Sequence, residues 1–391
     1  MEPIEFIQPY FYNLVYYTTF LILCWFTVLY YIGSAQQKIL HAEGSPIQSA
    51  ALFVSLIVIY VLGLRQISGE FGDTFLYAYD YWRIEPEYVP ISYHTEWVWD
   101  NIRAFCKFSG FNTHEYFLLI EFLYIGLMFV CALILMRKNL WIAMLFFFSA
   151  FSTYSFGTNG IRNGLACSII LVALSLLSDR GPKRVISYIL MFLAVGIHRT
   201  ALLPSAAAIG TLFFIKDTKW ALRFWLASIG LSLVAGSAVT QFFTLMGFDE
   251  RMSAYTVDAS VSSDAFSHTG FRWDFLLYSF FPVVMIWYVT RYRKFTNKTF
   301  TILANTYLLC NAFWIIVIRA SYSNRFAYLS WFLYPIVMAY PTLRMNLWKD
   351  QDRRTAIILF LYSGFTFFMY FIYYFGTSVG FQGFDIYWWK R

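Results

Sequence analysis

VISYILMFLAVGIHRTALLPSAAAIGTLFFI, residues 185–215, places an ionisable pair, His198-Arg199, inside an otherwise apolar run. Thirteen residues precede the pair (Val185–Ile197) and sixteen follow it (Thr200–Ile215). Neither half reaches the roughly 20 residues that an α-helix needs to cross a hydrocarbon core. Short or broken helices are tolerated at membrane depth only where they are buried in protein or line an aqueous cavity. Ionisable side chains there are costly and mark function. The stretch therefore predicts two short helices, broken at a working site, inside a polytopic membrane protein.

The rest of the chain agrees. Its 391 residues are 59% hydrophobic and 13% charged, with 22% aromatic, a composition that excludes an ordinary soluble domain. Hydropathy predicts an all-α bundle of about twelve transmembrane segments: 11–32, 47–64, 116–136, 140–156, 164–178, 185–197, 200–215, 224–247, 273–290, 299–318, 326–343 and 355–375. No internal repeat stands out, so residues 1–391 read as one integral domain with long loops at 65–115 and 248–272. In the first loop, short amphipathic helices anchored by Trp82, Tyr88, Trp97 and Trp99 are expected at the headgroups. Five cysteines make no disulfide framework. The first residues carry no positive region, so the first apolar segment does not read as a cleaved signal peptide.

Alternate loops hold Lys38, Arg137-Lys138, Arg180, Lys183, Arg184, Lys216, Lys219, Arg223, Arg291, Arg293, Lys294, Lys298, Arg344, Lys349, Arg353 and Arg354, that is 17 of the 29 basic residues. The positive-inside rule assigns these loops to the cytoplasm and the other face, with both termini, to the outside. The net charge of +7 is scattered over short loops and does not point to nucleic acid. Arg65, Arg162, Arg319 and Arg325 fall on the same outer side as His198-Arg199. Cations gathered on one face suggest an anionic ligand held there.

Four motifs supply the chemistry. GLRQISGEFGDTFLY, residues 63–77, offers Arg65 and Asp73 with Tyr77 nearby; the simpler reading has Arg65 snorkelling and Asp73 capping a helix. TNGIRNG, residues 158–164, puts Asn159 and Arg162 at a helix start, where free N–H groups and the dipole favour a phosphate. Gly160 and Gly164 would also suit helix packing. His198 has an unperturbed pKa near about 6.5 and can accept a proton at neutral pH. RASYSNR, residues 319–325, brackets a polar turn with Arg319 and Arg325 beside Asn324; planar guanidinium forks suit bidentate phosphate contacts. The chain has no Walker loop, serine elbow, H-E-x-x-H or C-x-x-C motif. Asp350-Gln-Asp352 falls on the cytoplasmic side, among basic residues, and reads as a solvated loop. No cofactor and no metal site is expected.

In order and spacing, these motifs resemble the EpsG family, which belongs with the Wzy-type polysaccharide polymerases. The resemblance rests on Gly63, Arg65, Gly72, Asp73 and Tyr77; on Gly160, Arg162 and Ala166; on His198-Arg199-Thr200-Ala201; and on Asn324-Arg325-Phe326-Ala327-Tyr328. It departs at Asn163, where such proteins often carry Gln. The resemblance implies a GT-C-like helical architecture in a bacterial cytoplasmic membrane. It also implies the joining of undecaprenyl-diphosphate-linked oligosaccharide repeat units on the outer face, with a chain-length regulator as a further partner. Such a reaction needs cations on the leaving diphosphate and a base for the acceptor hydroxyl. Arg162 and Arg325, supported by Arg199 or Arg319, fit the first role. His198 or Asp73 fits the second. Arg65, Tyr77, Asn159 and Asn324 are expected to line the substrate. A ligase would use the same donor and cations. A flippase for the same lipid would need charges reachable from both sides, and an acyltransferase would not need four outer arginines.

Overall fold

The structure, a computed structural model, describes residues 1–33, 46–85, 96–245, 271–319 and 324–371. Those residues form sixteen α-helices and no strand. In chain order the helices are α1 (Tyr12–Gly33), α2 (Pro46–Gly63), α3 (Thr74–Trp82), α4 (Trp97–Phe108), α5 (Thr113–Met136), α6 (Leu140–Phe148), α7 (Phe151–Thr158) and α8 (Ile161–Leu177). They continue with α9 (Pro182–Ile197), α10 (Leu202–Phe213), α11 (Thr218–Leu245), α12 (Trp273–Trp287), α13 (Lys298–Ile316), α14 (Asn324–Trp331), α15 (Tyr334–Arg344) and α16 (Gln351–Tyr370).

Each expected apolar segment has a helix in its place. Among the described residues, five helical stretches are long and apolar enough to cross a membrane: Pro9–Ile32, Thr113–Phe148, Trp273–Tyr292, Lys298–Ile316 and Arg325–Arg344. Ile47–Gly63 and Ile161–Leu177 are apolar but shorter. A helix that is hydrophobic all round must be buried on all sides, and α6 and α8 are: nearly every residue of both is inaccessible. With α13 and α15 they make the centre of the bundle, while α1, α2, α9 and α12 turn aromatic and aliphatic side chains outward.

Two expected single segments are broken, and the chain meets the cost of each break. At Ser149–Ala150 the 140–156 segment splits into α6 and α7, with Ala150 extended. The carbonyl of Phe148 accepts from Tyr16 Oη at 3.0 Å, that of Phe151 from Tyr17 Oη at 3.2 Å, and that of Phe147 from Thr153 Oγ1 at 2.6 Å. Buried backbone groups need such partners. The 326–343 segment divides at Phe332–Leu333, just before Pro335 near the start of α15. Proline disfavours helical geometry in the residue before it and suits a helix start.

The two faces of the bundle have different characters. On one, Gln48 Nε2 donates to the Lys138 carbonyl (2.7 Å), Asn139 Nδ2 to the Leu343 carbonyl (3.2 Å), Tyr340 Oη to Asn297 Oδ1 (3.3 Å) and Lys298 Nζ to the Ser178 carbonyl (3.0 Å). The start of α2, the α5–α6 turn, the ends of α8 and α15 and the start of α13 thus share the Lys/Arg-rich side. The opposite face holds the N-terminus, tied by Ile4 N–H to the Leu64 carbonyl at 2.7 Å and by the Met1 amine to Glu115 at 2.9 Å. It also carries α3, α4, the α7–α8 turn and the α9–α10 break.

The 65–115 loop does contain two short helices, α3 and α4. Its tryptophans divide, however. Trp82 is exposed, but Trp99 is buried, edge-on to Tyr77 and Tyr116 at 6.1 Å, and packs instead of anchoring. Tyr88 and most of the 248–272 loop lie outside the described residues.

Candidate active site

The site is assembled around the α7–α8 turn, Thr158–Gly160. α7 approaches α2 and α5 closely because residue 157 is glycine: a Cβ there would stand 2.9 Å from Leu62 Cδ1 and 3.2 Å from Glu121 Oε2. The turn leaves the Thr158 carbonyl without a helical partner. Arg65 Nη2 donates to it at 3.2 Å, and Thr74 Oγ1 donates as well. Arg65 also donates through Nη2 to Thr74 Oγ1 (3.0 Å) and through Nη1 to the Leu62 carbonyl (2.5 Å). Its counter-charge is Glu121, 3.7 Å away in α5, and both side chains are essentially inaccessible.

One residue further, Asn159 Oδ1 accepts the Asp73 backbone N–H at 2.8 Å. This contact requires glycine at position 72. The φ of Gly72 is +60°, and a Cβ there would fall 2.5 Å from Asn159 Oδ1. Asp73 sits at the start of α3 but makes no side-chain cap. Its Oδ2 instead faces Arg325 Nη2 at 3.6 Å, both side chains being over a third exposed.

Two residues beyond the turn, in the first turn of α8, Arg162 pairs through Nη1 with Glu96 Oε2. The other oxygen of that carboxylate, Oε1, lies 2.6 Å from His198 Nδ1. His198 is extended (φ −150°, ψ 122°) between the end of α9 and a short 3₁₀ turn, Arg199–Ala201, so the break expected at His198-Arg199 is real. Glu96, Arg162 and His198 are each 19–20% exposed: held in place, yet reachable. Burial pushes Glu96 toward protonation. The His198 hydrogen bond, the Arg162 and His198 charges and the Arg199 amide outweigh it and hold the carboxyl below its usual range. Glu96 is therefore an anion at neutral pH. With the ring proton on Nδ1, toward Glu96, Nε2 would be the basic nitrogen, the arrangement of a general base with an orienting carboxylate.

Asn159, Arg162, His198, Asp73 and Arg325 thus surround one turn and its neighbours. Arg65 is beneath it, fully buried. Arg65, expected to line the substrate, is instead inaccessible: Nη1 donates to Leu62 and Nη2 to Thr74 and Thr158, and it braces the turn from inside. Tyr77 lies at the edge, against Trp99. Arg199 and Arg319 are exposed. Asn324 begins α14, and its side chain is outside the described residues.

A family model described as the EpsG family matches residues 50–385, a range that contains every residue of this site. The chain belongs to the EpsG family. That family is associated with polysaccharide polymerase activity. No curated protein and no solved structure matches the chain.

Two residues of this EpsG-family site escaped sequence reasoning. Glu96 lies in a polar loop, where an acid is unremarked, and its partners are 66 and 102 positions away. Glu121 did carry a signal: it is an ionisable residue inside a predicted span, marked by the same rule as His198. The Asp350–Asp352 pair begins α16, with Asp350 3.4 Å from Arg354, on the side away from the site. Among the described residues no group of His, Cys, Asp and Glu is arranged to hold a metal ion.

Proposed function

We propose that this protein is a membrane glycosyltransferase that polymerises undecaprenyl-diphosphate-linked oligosaccharide repeat units into a surface polysaccharide on the outer face of a bacterial cytoplasmic membrane. In this reading its twelve apolar segments cross the bilayer in a GT-C-like arrangement, with the α7–α8 turn facing outward. The observation that carries the reading is the Arg162–Glu96–His198 chain: a cation and an oriented base joined by one carboxylate, partly exposed, in a chain of this family.

The growing glycan is the donor and the non-reducing-end sugar of the incoming unit is the acceptor. The acceptor hydroxyl oxygen attacks the anomeric carbon of the donor. The bond from that carbon to the diphosphate oxygen breaks, and its electron pair leaves on the lipid diphosphate. His198 Nε2 takes the hydroxyl proton, and Glu96 stabilises the imidazolium that forms. Arg162 and Arg325 face the negative charge growing on the diphosphate, with Arg199 and Arg319 at the rim. Asp73 keeps Arg325 in position.

The test is polymerisation by the purified protein in nanodiscs, supplied only with the host's lipid-diphosphate-linked repeat unit. A ladder of longer lipid-linked products, lost in Arg162→Ala and His198→Ala, is the expected result. Transfer to a different lipid or glycan acceptor without a ladder would make it a ligase. Movement of the intact lipid across the bilayer without new glycosidic bonds would make it a flippase.

A further inference from the structure

A cleft of about 460 Å³ opens between α12, α15 and α16. That volume is within the ~300–1,000 Å³ common for small-molecule sites. Phe281 and Met285 of α12, Met338 of α15, and Ile358, Leu361 and Phe365 of α16 make apolar walls. Leu361 is 61% exposed and Val284, on the facing helix, 42%, so the cleft opens sideways from the bundle. One end is polar. There Trp348 Nε1 donates to Tyr288 Oη at 2.7 Å, and the Arg354 guanidinium stands 5.7 Å over the Trp348 ring. Arg354 is half exposed and 3.4 Å from Asp350. Lys349 and Arg353 flank it, against Asp350 and Asp352. This end is on the Lys/Arg-rich side, since α15 runs to Arg344 and is tied there to the α5–α6 turn by the Asn139–Leu343 hydrogen bond.

We propose that this cleft binds a phospholipid of the leaflet on the Lys/Arg-rich side, with one acyl chain between α12 and α16 and the phosphate on Arg354 and the Tyr288 hydroxyl. Three features of the cleft select this ligand. An apolar crevice facing a bilayer takes hydrocarbon rather than water. Met285 and Met338 are unbranched and adapt to a flexible chain. The polar end combines an aromatic pair at headgroup level with a cation whose planar fork suits a phosphate. The diphosphate-linked substrate of the proposed reaction does not fit here. Its phosphates belong at the α7–α8 turn, on the opposite face of the bundle. The lipid site stands whether or not the polymerase reading does.

The experiment uses the full-length protein in phosphatidylglycerol nanodiscs doped with a phosphatidylglycerol that carries a photoreactive diazirine midway along one acyl chain. After illumination, labelled peptides are mapped. Labelling is expected to concentrate on the α12 and α16 cleft peptides, above the outward face of α1 around Phe26 and Leu29. Arg354→Ala should lower cleft labelling about tenfold, the scale of one charge-assisted hydrogen bond. Arg354→Lys should keep much of it. Leu361→Trp, which fills the cleft, should remove it; should that variant not fold, the Arg354 pair decides. Cleft labelling no higher than on α1, or indifferent to Arg354→Ala, would overturn the site. So would displacement of the probe by an isoprenoid diphosphate but not by unlabelled phosphatidylglycerol.

Discussion

Replacing Glu96 by Gln removes one negative charge and keeps the side chain's volume, so it isolates what the carboxylate does for His198 and Arg162. In the wild type Oε1 is 2.6 Å from His198 Nδ1 and only about a fifth of either side chain is exposed. An opposite charge at such range shifts a titration by about one unit or more, worth ~1.4 kcal/mol per unit. The amide still accepts from Nδ1–H but no longer balances an imidazolium. Two effects are expected in the nanodisc polymerisation assay. kcat falls ~10²-fold, within the range of general-base contributions, with KM changed little. The acid limb of the pH–rate profile moves to lower pH by about one unit, because the imidazolium has lost its counter-charge. A purely structural role for Glu96 would lower the amount of folded enzyme and leave that limb in place. The wild-type carboxyl is held below its usual range, so its contribution to stability is present above the unfolded carboxylate pKa. That contribution is lost only as pH falls through the lower folded value. The Glu96 contribution should therefore hold across mildly acidic pH. Wild-type kcat and an unmoved acid limb in Glu96→Gln would refute the oriented-base mechanism.

Arg325→Ala separates chemistry from folding: its contact with Asp73 is 3.6 Å long and over a third exposed. It should cost under ~1 kcal/mol of stability by thermal unfolding, yet lower kcat/KM at least about tenfold. Gly72→Ala forces a Cβ to 2.5 Å from Asn159 Oδ1 at φ +60°. It should lose ~1–3 kcal/mol and most activity, whereas Gly110→Ala, with φ +79° and no atom within 4 Å, should be milder in the same thermal scan. Glu121→Leu strands the buried Arg65 charge and should destabilise by ~3–5 kcal/mol. Adding Arg65→Met should restore part of that, and a double variant no more stable than Glu121→Leu would show that the 3.7 Å pair carries no coupling.

The positions of the helices were legible because a hydrocarbon environment demands apolar runs, and the interruption at His198-Arg199 stood out against them. The Thr158–Gly160 turn was legible for the same reason: polar and glycine residues had no other place in that sequence. The Ser149–Ala150 break was not. No glycine or proline marks it, the run before it (Leu140–Phe148) is wholly apolar, and two of the three hydroxyls that satisfy it come from Tyr16 and Tyr17, more than a hundred positions away in α1. Glu96 was hidden likewise, since no local spacing links a loop acid to an arginine on α8 and a histidine at the break after α9.

What the missing acids change is the electrostatic picture of the site. Read from sequence, Arg65, Arg162, His198 and Arg325 make a cluster of cations with Asp73 as its one named acid. In the folded chain Glu121 stands opposite Arg65, Glu96 is shared by Arg162 and His198, and Asp73 faces Arg325. Uncompensated, such a cluster would repel itself within a poorly solvated region and would not stay assembled between turnovers. Each carboxylate engages one terminal nitrogen of its guanidinium, Nη1 of Arg162 and Nη2 of Arg325. A guanidinium is a planar fork with five N–H donors, so one such contact fixes its orientation. In the proposed reaction the acids would orient the arginines, so that a diphosphate would meet cations already aimed at it. Preorganisation of this kind does the electrostatic work before the transition state is reached. It requires glycine at 72 and 157, where Asp73 and Glu121 are brought against the same turn.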